Sequence, residues 1–242
     1  MKSAFLAAVS AVALTGNFAI AADLPARTTA PPVPVPVFTW SGLYAGASLG
    51  GLMARSKVDE LTYYGTAAGF PMTSANGTGV IASLNLGYNI QVGNIVTGVE
   101  ADLGWTSARA RGSEFVSGEY NFIRVDYSTL GSLRARLGYA LDRVLVYGTG
   151  GLAIANIKSV GDHQYLAGAT PYNGIATHNG IRTGWIIGGG LEYAVTQNYS
   201  LKAEALYQDL GNVVSGVASS GCRFGFKKTT STVVRAGVNY KF

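Results

Sequence analysis

The 242-residue sequence has a single cysteine, Cys222, so an intramolecular disulfide is excluded and stability must come from elsewhere. Cys222 lies in a Gly/Ser-rich stretch without a suitably placed histidine, which argues against a nucleophile. Histidine is almost as scarce: His163 and His178 are the only two, and a metal centre normally draws on three or more convergent ligands. Charge is also thin, at 13% of residues, against roughly 25% in an ordinary soluble domain. The net charge of +5 is scattered. No Lys/Arg cluster alternates with aromatics, so a nucleic-acid footprint is missing. After the first two dozen residues no run is apolar enough for a spanning helix, which needs about 20 such residues. Proline is confined too: Pro25, Pro31, Pro32, Pro34 and Pro36 are five of the chain's seven.

What is present begins with Lys2 and the uncharged run Ala4 to Leu14, closed by Ala19-Ile20-Ala21-Ala22. One cation, a short apolar core and an A-x-A site make residues 1–22 a cleaved secretory signal. Residues 23–38 read as an extended, proline-rich periplasmic spacer. Residues 39–242 follow, and the chain as a whole has a positive mean hydropathy, 33 glycines and 14 tyrosines. An apolar exported chain without a spanning helix suits lipid as a closed barrel, whose apolar surface is spread over alternate residues.

Period two dominates this region. In Gly79 to Gln91, Val80, Ala82, Leu84, Leu86, Tyr88 and Ile90 oppose Ile81, Ser83, Asn85, Gly87, Asn89 and Gln91. In Ile95 to Trp105, Ile95, Thr97, Val99, Ala101, Leu103 and Trp105 oppose Gly98, Glu100, Asp102 and Gly104. Leu133 to Tyr139, Trp185 to Tyr193, Leu201 to Gln208 and Val234 to Phe242 repeat the pattern. Val144 to Ala155 is apolar on both faces, which leaves its orientation open. With Trp40 to Leu52 the count is eight strands. Short turns near residues 93, 142 and 197 alternate with four long links, at about 55–78, 107–127, 156–180 and 211–229. That is the layout of an eight-stranded antiparallel up-and-down barrel with short periplasmic turns and long external loops, in the cell outer membrane.

The charges follow the same alternation. Glu100, Asp102, Glu192 and Glu204 fall on polar faces, as do Arg134, Arg136, Lys202, Arg235 and Lys241. These nine are expected to pair inside a narrow lumen, because an unpaired buried charge is very costly. The aromatics Trp40, Trp105, Tyr139, Trp185, Tyr193, Tyr207 and Tyr240 stand near strand ends and suit interfacial girdles. A soluble sandwich or lipocalin-like barrel, with its apolar face inside, accounts less well for the scarce charge.

Several stretches resemble one family. Trp40-Ser41-Gly42-Leu43-Tyr44-Ala45-Gly46 is similar to the first strand of the small alphaproteobacterial outer-membrane immunogenic proteins, porin-like surface-antigen barrels. Gly148 to Ala153 resembles their fifth strand, and Gly184 to Gly211 their sixth and seventh. Val238, Tyr240 and Phe242 form an ending of the kind shared by outer-membrane barrels. The resemblance implies that this ending is read by the barrel-assembly machinery. It also implies porin-like, antigenic or, in some members, haem-binding or adhesive roles, with no catalytic residue set and no cofactor carried over.

From the sequence the expected role is structural: envelope integrity and surface contact by a barrel whose lumen is plugged by ion pairs. Its expected partners are outer-membrane lipid, the assembly machinery and either peptidoglycan or an extracellular ligand. The alternatives are a narrow channel for small solutes or ions, and haem or host-ligand binding through the external loops, with His163 and His178 as candidate ligands. An enzyme is not expected. Glu100 and Asp102 could form an acid/base pair, but basic partners on the same faces favour ion pairing. Gly148-x-Gly150-Gly151 and Gly188-Gly189-Gly190 lie within strands, whereas a phosphate loop needs a helix to follow.

Overall fold

The computed structural model describes residues 38–63, 66–67, 71–116, 119–165, 173–217 and 223–242. The expected signal, nearly all of the expected proline-rich spacer and Cys222 lie outside them. Among the described residues there are strands and no helix: β1 (Gly42–Tyr63), β2 (Thr66–Ala67), β3 (Pro71–Val92), β4 (Ile95–Thr106), β5 (Arg109–Val116), β6 (Glu119–Leu141), β7 (Val144–Tyr165), β8 (Asn173–Ala194), β9 (Tyr199–Asp209), β10 (Val213–Val217) and β11 (Arg223–Lys241). β5 continues β4 past a break at Ser107–Ala108, and β10 continues β9 past a break at Leu210–Asn212. Backbone bonds bridge both breaks, from Tyr127 N to Ala108 O at 3.0 Å and from Leu210 N to Thr229 O at 2.9 Å. The staves pair antiparallel in chain order, and β11 returns to pair with β1. The ring is a closed eight-stranded barrel.

The short turns have local causes. Gly93 (φ 60°) opens the two-residue link between β3 and β4, where a hairpin needs a left-handed residue. Asp142 (φ 53°) plays that part between β6 and β7. Between β8 and β9, Thr196 Oγ1 accepts bonds from the backbone nitrogens of Asn198 and Tyr199, at 3.2 and 2.9 Å.

The outer surface carries an apolar belt. Trp105, Trp185 and Tyr207 rim it on one side, and Tyr139, Tyr193, Tyr199, Tyr240 and Phe242 on the other, all exposed. From Ile95 to Trp105 the belt runs about 33 Å of strand, or about 25 Å after a barrel strand's ~40° tilt. Trp40 is not in either girdle. It is 4% exposed and turned into the barrel mouth, because Gln91 Oε1 binds its backbone nitrogen at 2.7 Å and its indole Nε1 donates to Asp142 O at 3.2 Å.

The long links differ from the expected loops. β1, β3, β7 and β8 are each 22 residues and β6 is 23, about twice the 9–11 residues that cross a bilayer. Most of the four long links are paired strand. Amphipathicity inverts along β6 and β7: within the belt the outside is apolar and the inside polar, and beyond it the inside is apolar and the outside mostly polar. On β7, Leu152 and Ile154 face out in the belt, then Asn156 and Lys158; inside, Thr149 gives way to Ala153, Ala155 and Ile157. The segment Val144 to Ala155 spans this changeover, which is why it reads apolar on both faces. The protruding part meets water outside and so buries apolar side chains, as any soluble barrel does.

Two bulges matter. Between Tyr127 and Thr129 the β6–β7 register shifts, and the inward parity changes from Ile123, Val125 and Tyr127 to Leu130, Ser132 and Arg134. Between Ser56 and Lys57 the β1–β11 register also shifts, leaving Lys228 as the extra residue, with φ 53°.

Candidate functional site in the lumen

The inward side chains of β4, β6, β8, β9 and β11 converge in the membrane half of the barrel. Register supplies the first pairs directly: Glu100 stands opposite Arg134, Glu192 opposite Lys202, and Glu204 opposite Arg235. Arg134, at the centre, has a fully buried side chain. Its guanidinium joins Glu100, Glu204 and Asp102, the last at 3.0 Å. Arg136 reaches Glu192 at 2.8 Å and Glu100 at 3.4 Å. Lys202 Nζ lies 3.2 Å from Glu100 and 3.7 Å from Glu204. Arg235 lies 3.3 Å from both Asp102 and Glu204. Four carboxylates therefore face four cations, and the cluster is neutral.

Neutral partners complete it. The Tyr44 hydroxyl donates to Glu100 at 2.9 Å and accepts from Arg136 Nη1 at 2.6 Å. Arg136 lies over the Tyr147 ring, 3.9 Å from its centroid. Ser200 and Asn239 donate to Glu192 at 2.6 and 2.7 Å. Ser132 donates to Asp102, and Ser83 accepts from Arg235 at 2.9 Å. The charged residues could be read from period two. Tyr44 and Tyr147 could not, since each is an aromatic on a strand whose lumen face the sequence left unassigned.

Lys241, the ninth residue expected in the network, is not in it. It sits at the periplasmic mouth, where its Nζ donates to Thr39 O and lies 4.6 Å from the Phe38 ring centroid. Being the last strand residue, it has passed the height of the carboxylates. Its removal is what turns four acids against five bases into an even match.

Apolar layers close the lumen on both sides of the charges. At the periplasmic end Trp40, Val96, Ala140, Leu145, Tyr147 and Ala194 form a buried plug with Phe38 packed against it. Beyond the charges, in the protruding half, Leu52, Ile81, Ile123, Val125, Ile157 and Val233 belong to a second buried cluster. The lumen is thus filled in three layers.

One glycine makes room for this filling. A Cβ on Gly87 would stand 2.3 Å from Cζ and the hydroxyl of Tyr44, the residue that links Glu100 to Arg136. Gly87→Ala is expected to displace that ring and cost about 1–3 kcal/mol, as overpacked cores do. Urea unfolding of the lipid-reconstituted barrel measures it, and an unchanged midpoint would show that the ring has freedom to move.

The histidines are on paired strands, not in a loop. His163 stands opposite Gly174 and His178 opposite Ser159. Four steps of β7 separate these rungs, about 13 Å of strand. Among the described residues no group of three or more metal-binding side chains occurs. Val238, Tyr240 and Phe242 face outward, with the Tyr240 and Phe242 rings edge to face at 5.1 Å.

Comparison with known proteins accords with this geometry. Residues 5–242 match the family described as outer membrane protein beta-barrel domain. The chain belongs to that family. Relatives of this outer-membrane barrel include the 31 kDa outer-membrane immunogenic protein of Brucella melitensis, 33% identical over the full length of both chains. The 22 kDa outer membrane protein of Rhizobium leguminosarum is 30% identical, covering 86% of this chain and 80% of its own. Among solved structures, OprG of Pseudomonas aeruginosa superposes with a TM-score of 0.51 at 11% identity, over 84% of this chain and 96% of its own, a likeness of fold alone. The alphaproteobacterial resemblance read from Trp40 to Gly46 and Gly184 to Gly211 therefore holds, and so do the outer-membrane location and the barrel.

Proposed function

We propose that this outer-membrane barrel acts as a sealed envelope element. Its role is structural cohesion and surface contact, carried by the outward faces of its protruding strands, and not conduction or catalysis. The observation that supports this most directly is the neutral cluster of Glu100, Asp102, Glu192 and Glu204 with Arg134, Arg136, Lys202 and Arg235, buried to between 0 and 8% side-chain exposure. Trp40 and Tyr147 cork it below and aliphatic side chains cap it above. Eight-stranded barrels have interiors just wide enough for side chains to fill, whereas aqueous channels need roughly 16–18 strands. The antigenic names of the Brucella relatives agree with an exposed surface role.

Planar-bilayer recording of the folded chain is expected to show no steady conductance. Stable sub-nanosiemens steps would favour the narrow-channel reading and overturn this one. Haem titration separates the remaining alternative. The proposal expects equal, weak binding by the parent and by the His163→Ala, His178→Ala double variant, and stoichiometric binding lost in that variant would establish a ligand site.

A further inference from the structure

The outward face of β1, β3 and β11 changes character at one height. On β1 the exposed series Leu43, Leu49 and Met53 gives way to Arg55 and Lys57. On β11, Val238 and Val234 give way to Thr230 and Lys228. On β3, Leu84 and Val80 give way to Thr78 and Asn76. Register ties these positions together, for Arg55 stands opposite Thr230 on one side and Asn76 on the other. Together they line an outward groove of about 600 Å³ whose lower wall includes Met53 and Tyr207, at the top of the apolar belt.

The third cation is placed by the bulge. Lys228 is the extra residue between the rungs Ser56–Thr229 and Lys57–Lys227, and it holds a left-handed φ of 53°. Its backbone nitrogen is tied to Asn212 Oδ1 at 3.0 Å, and its side chain is exposed. Bulges of this kind re-aim a side chain that regular pleating would direct elsewhere. Among the residues whose side chains are described, no carboxylate pairs with Arg55, Lys57 or Lys228. Arg111 stands opposite Asn76 and adds a further exposed cation, whereas Arg124 and Arg109 share Asp126, at 2.9 and 3.8 Å.

We propose that this groove binds the phosphate groups of outer-leaflet lipid headgroups. Cations immediately above an apolar wall complement a molecule with acyl chains below and phosphate above. A guanidinium offers paired donors to phosphate oxygens and the lysines add point charge, while Thr78, Thr230 and Asn76 supply neutral donors. The lipid's chains continue down Met53 and Val234 into the belt. A free anion in water makes none of these apolar contacts, so the groove selects a lipid. The inference stands whether or not the lumen conducts.

The test uses the full chain, folded in phosphatidylcholine nanodiscs and titrated with diphosphoryl lipid A, with retained copies counted by native mass spectrometry. Retention by the parent is expected to fall as NaCl rises from about 0.05 to about 0.5 M, since surface pairing is screened. The Arg55→Ala, Lys57→Ala, Lys228→Ala variant is expected to lose at least tenfold in affinity while keeping the parent's heat-modifiable gel mobility. Lys158→Ala, also outward but opposite Asp126 in register, is expected to bind as the parent does. Parent-like binding by the triple variant overturns the proposal, as does equal retention of a dephosphorylated lipid. Displacement by inorganic phosphate at matched ionic strength would also overturn it, by revealing a free-anion site.

Discussion

Arg134→Met is expected to lower the unfolding free energy by about 3–5 kcal/mol, the cost of removing one partner from a buried ion pair. Methionine nearly fills the aliphatic volume, so the loss is electrostatic more than steric. Three carboxylates, Glu100, Asp102 and Glu204, lose their common donor, and the cluster is left with a net negative charge in a closed lumen. Lys202 and Arg235 still touch Glu204, which keeps the penalty at the level of one pair and not three. Adding Glu204→Gln restores neutrality and is expected to recover part of the loss. Urea titration in lipid vesicles, followed by tryptophan fluorescence, reads both variants. A single variant within about 1 kcal/mol of the parent would mean that water reaches the cluster and that the lumen is open.

Leu133→Arg tests the other face of the same stretch. Leu133 adjoins Arg134 in sequence but points into the belt, 58% exposed, opposite Ala101. An arginine there meets hydrocarbon, and the expected cost is about 2–4 kcal/mol near the bilayer midplane. Ile181 is more exposed still, at 71%, yet it lies on β8 beyond Trp185, where the outside meets water. Ile181→Arg is therefore expected to change stability by no more than about 0.5 kcal/mol, as ordinary surface substitutions do. The pair of measurements locates the membrane boundary. Equal effects at the two positions would contradict the inversion of amphipathicity between the halves of the barrel.

The belt half of this fold was legible in the sequence, because lipid outside and ion pairs inside impose a polarity contrast at every second residue. Glu100, Arg134, Glu204 and Arg235 could be assigned to one face from that contrast alone. The protruding half was not legible. Its strands keep period two, but their polarity inverts and the contrast weakens where alanine, threonine and glycine fall on both faces, so paired strand resembled loop. Parity also fails across the β6 bulge, where Ile123, Val125 and Tyr127 face inward at positions that extrapolation from Arg134 and Arg136 would send outward. Trp40 and Lys241 were misplaced for a different reason. Both lie at the ends of strands, where a bond such as that from the Trp40 indole to Asp142 O decides direction and alternation has ceased to apply.

The pairing of β11 with β1 has a consequence for how the molecule comes into being. Its rungs join Tyr44 to Lys241 and Leu49 to Ala236, residues roughly two hundred positions apart, so this contact has the largest closure entropy of any in the sheet. Until it forms, two rows of backbone donors and acceptors stand open, and hydrocarbon offers them no partner. An incomplete sheet thus has no resting place at depth, and shortening the chain at its last strand removes the seam and not merely one stave. Entry into the bilayer is in this sense indivisible: the smallest piece that lipid accepts is the whole ring.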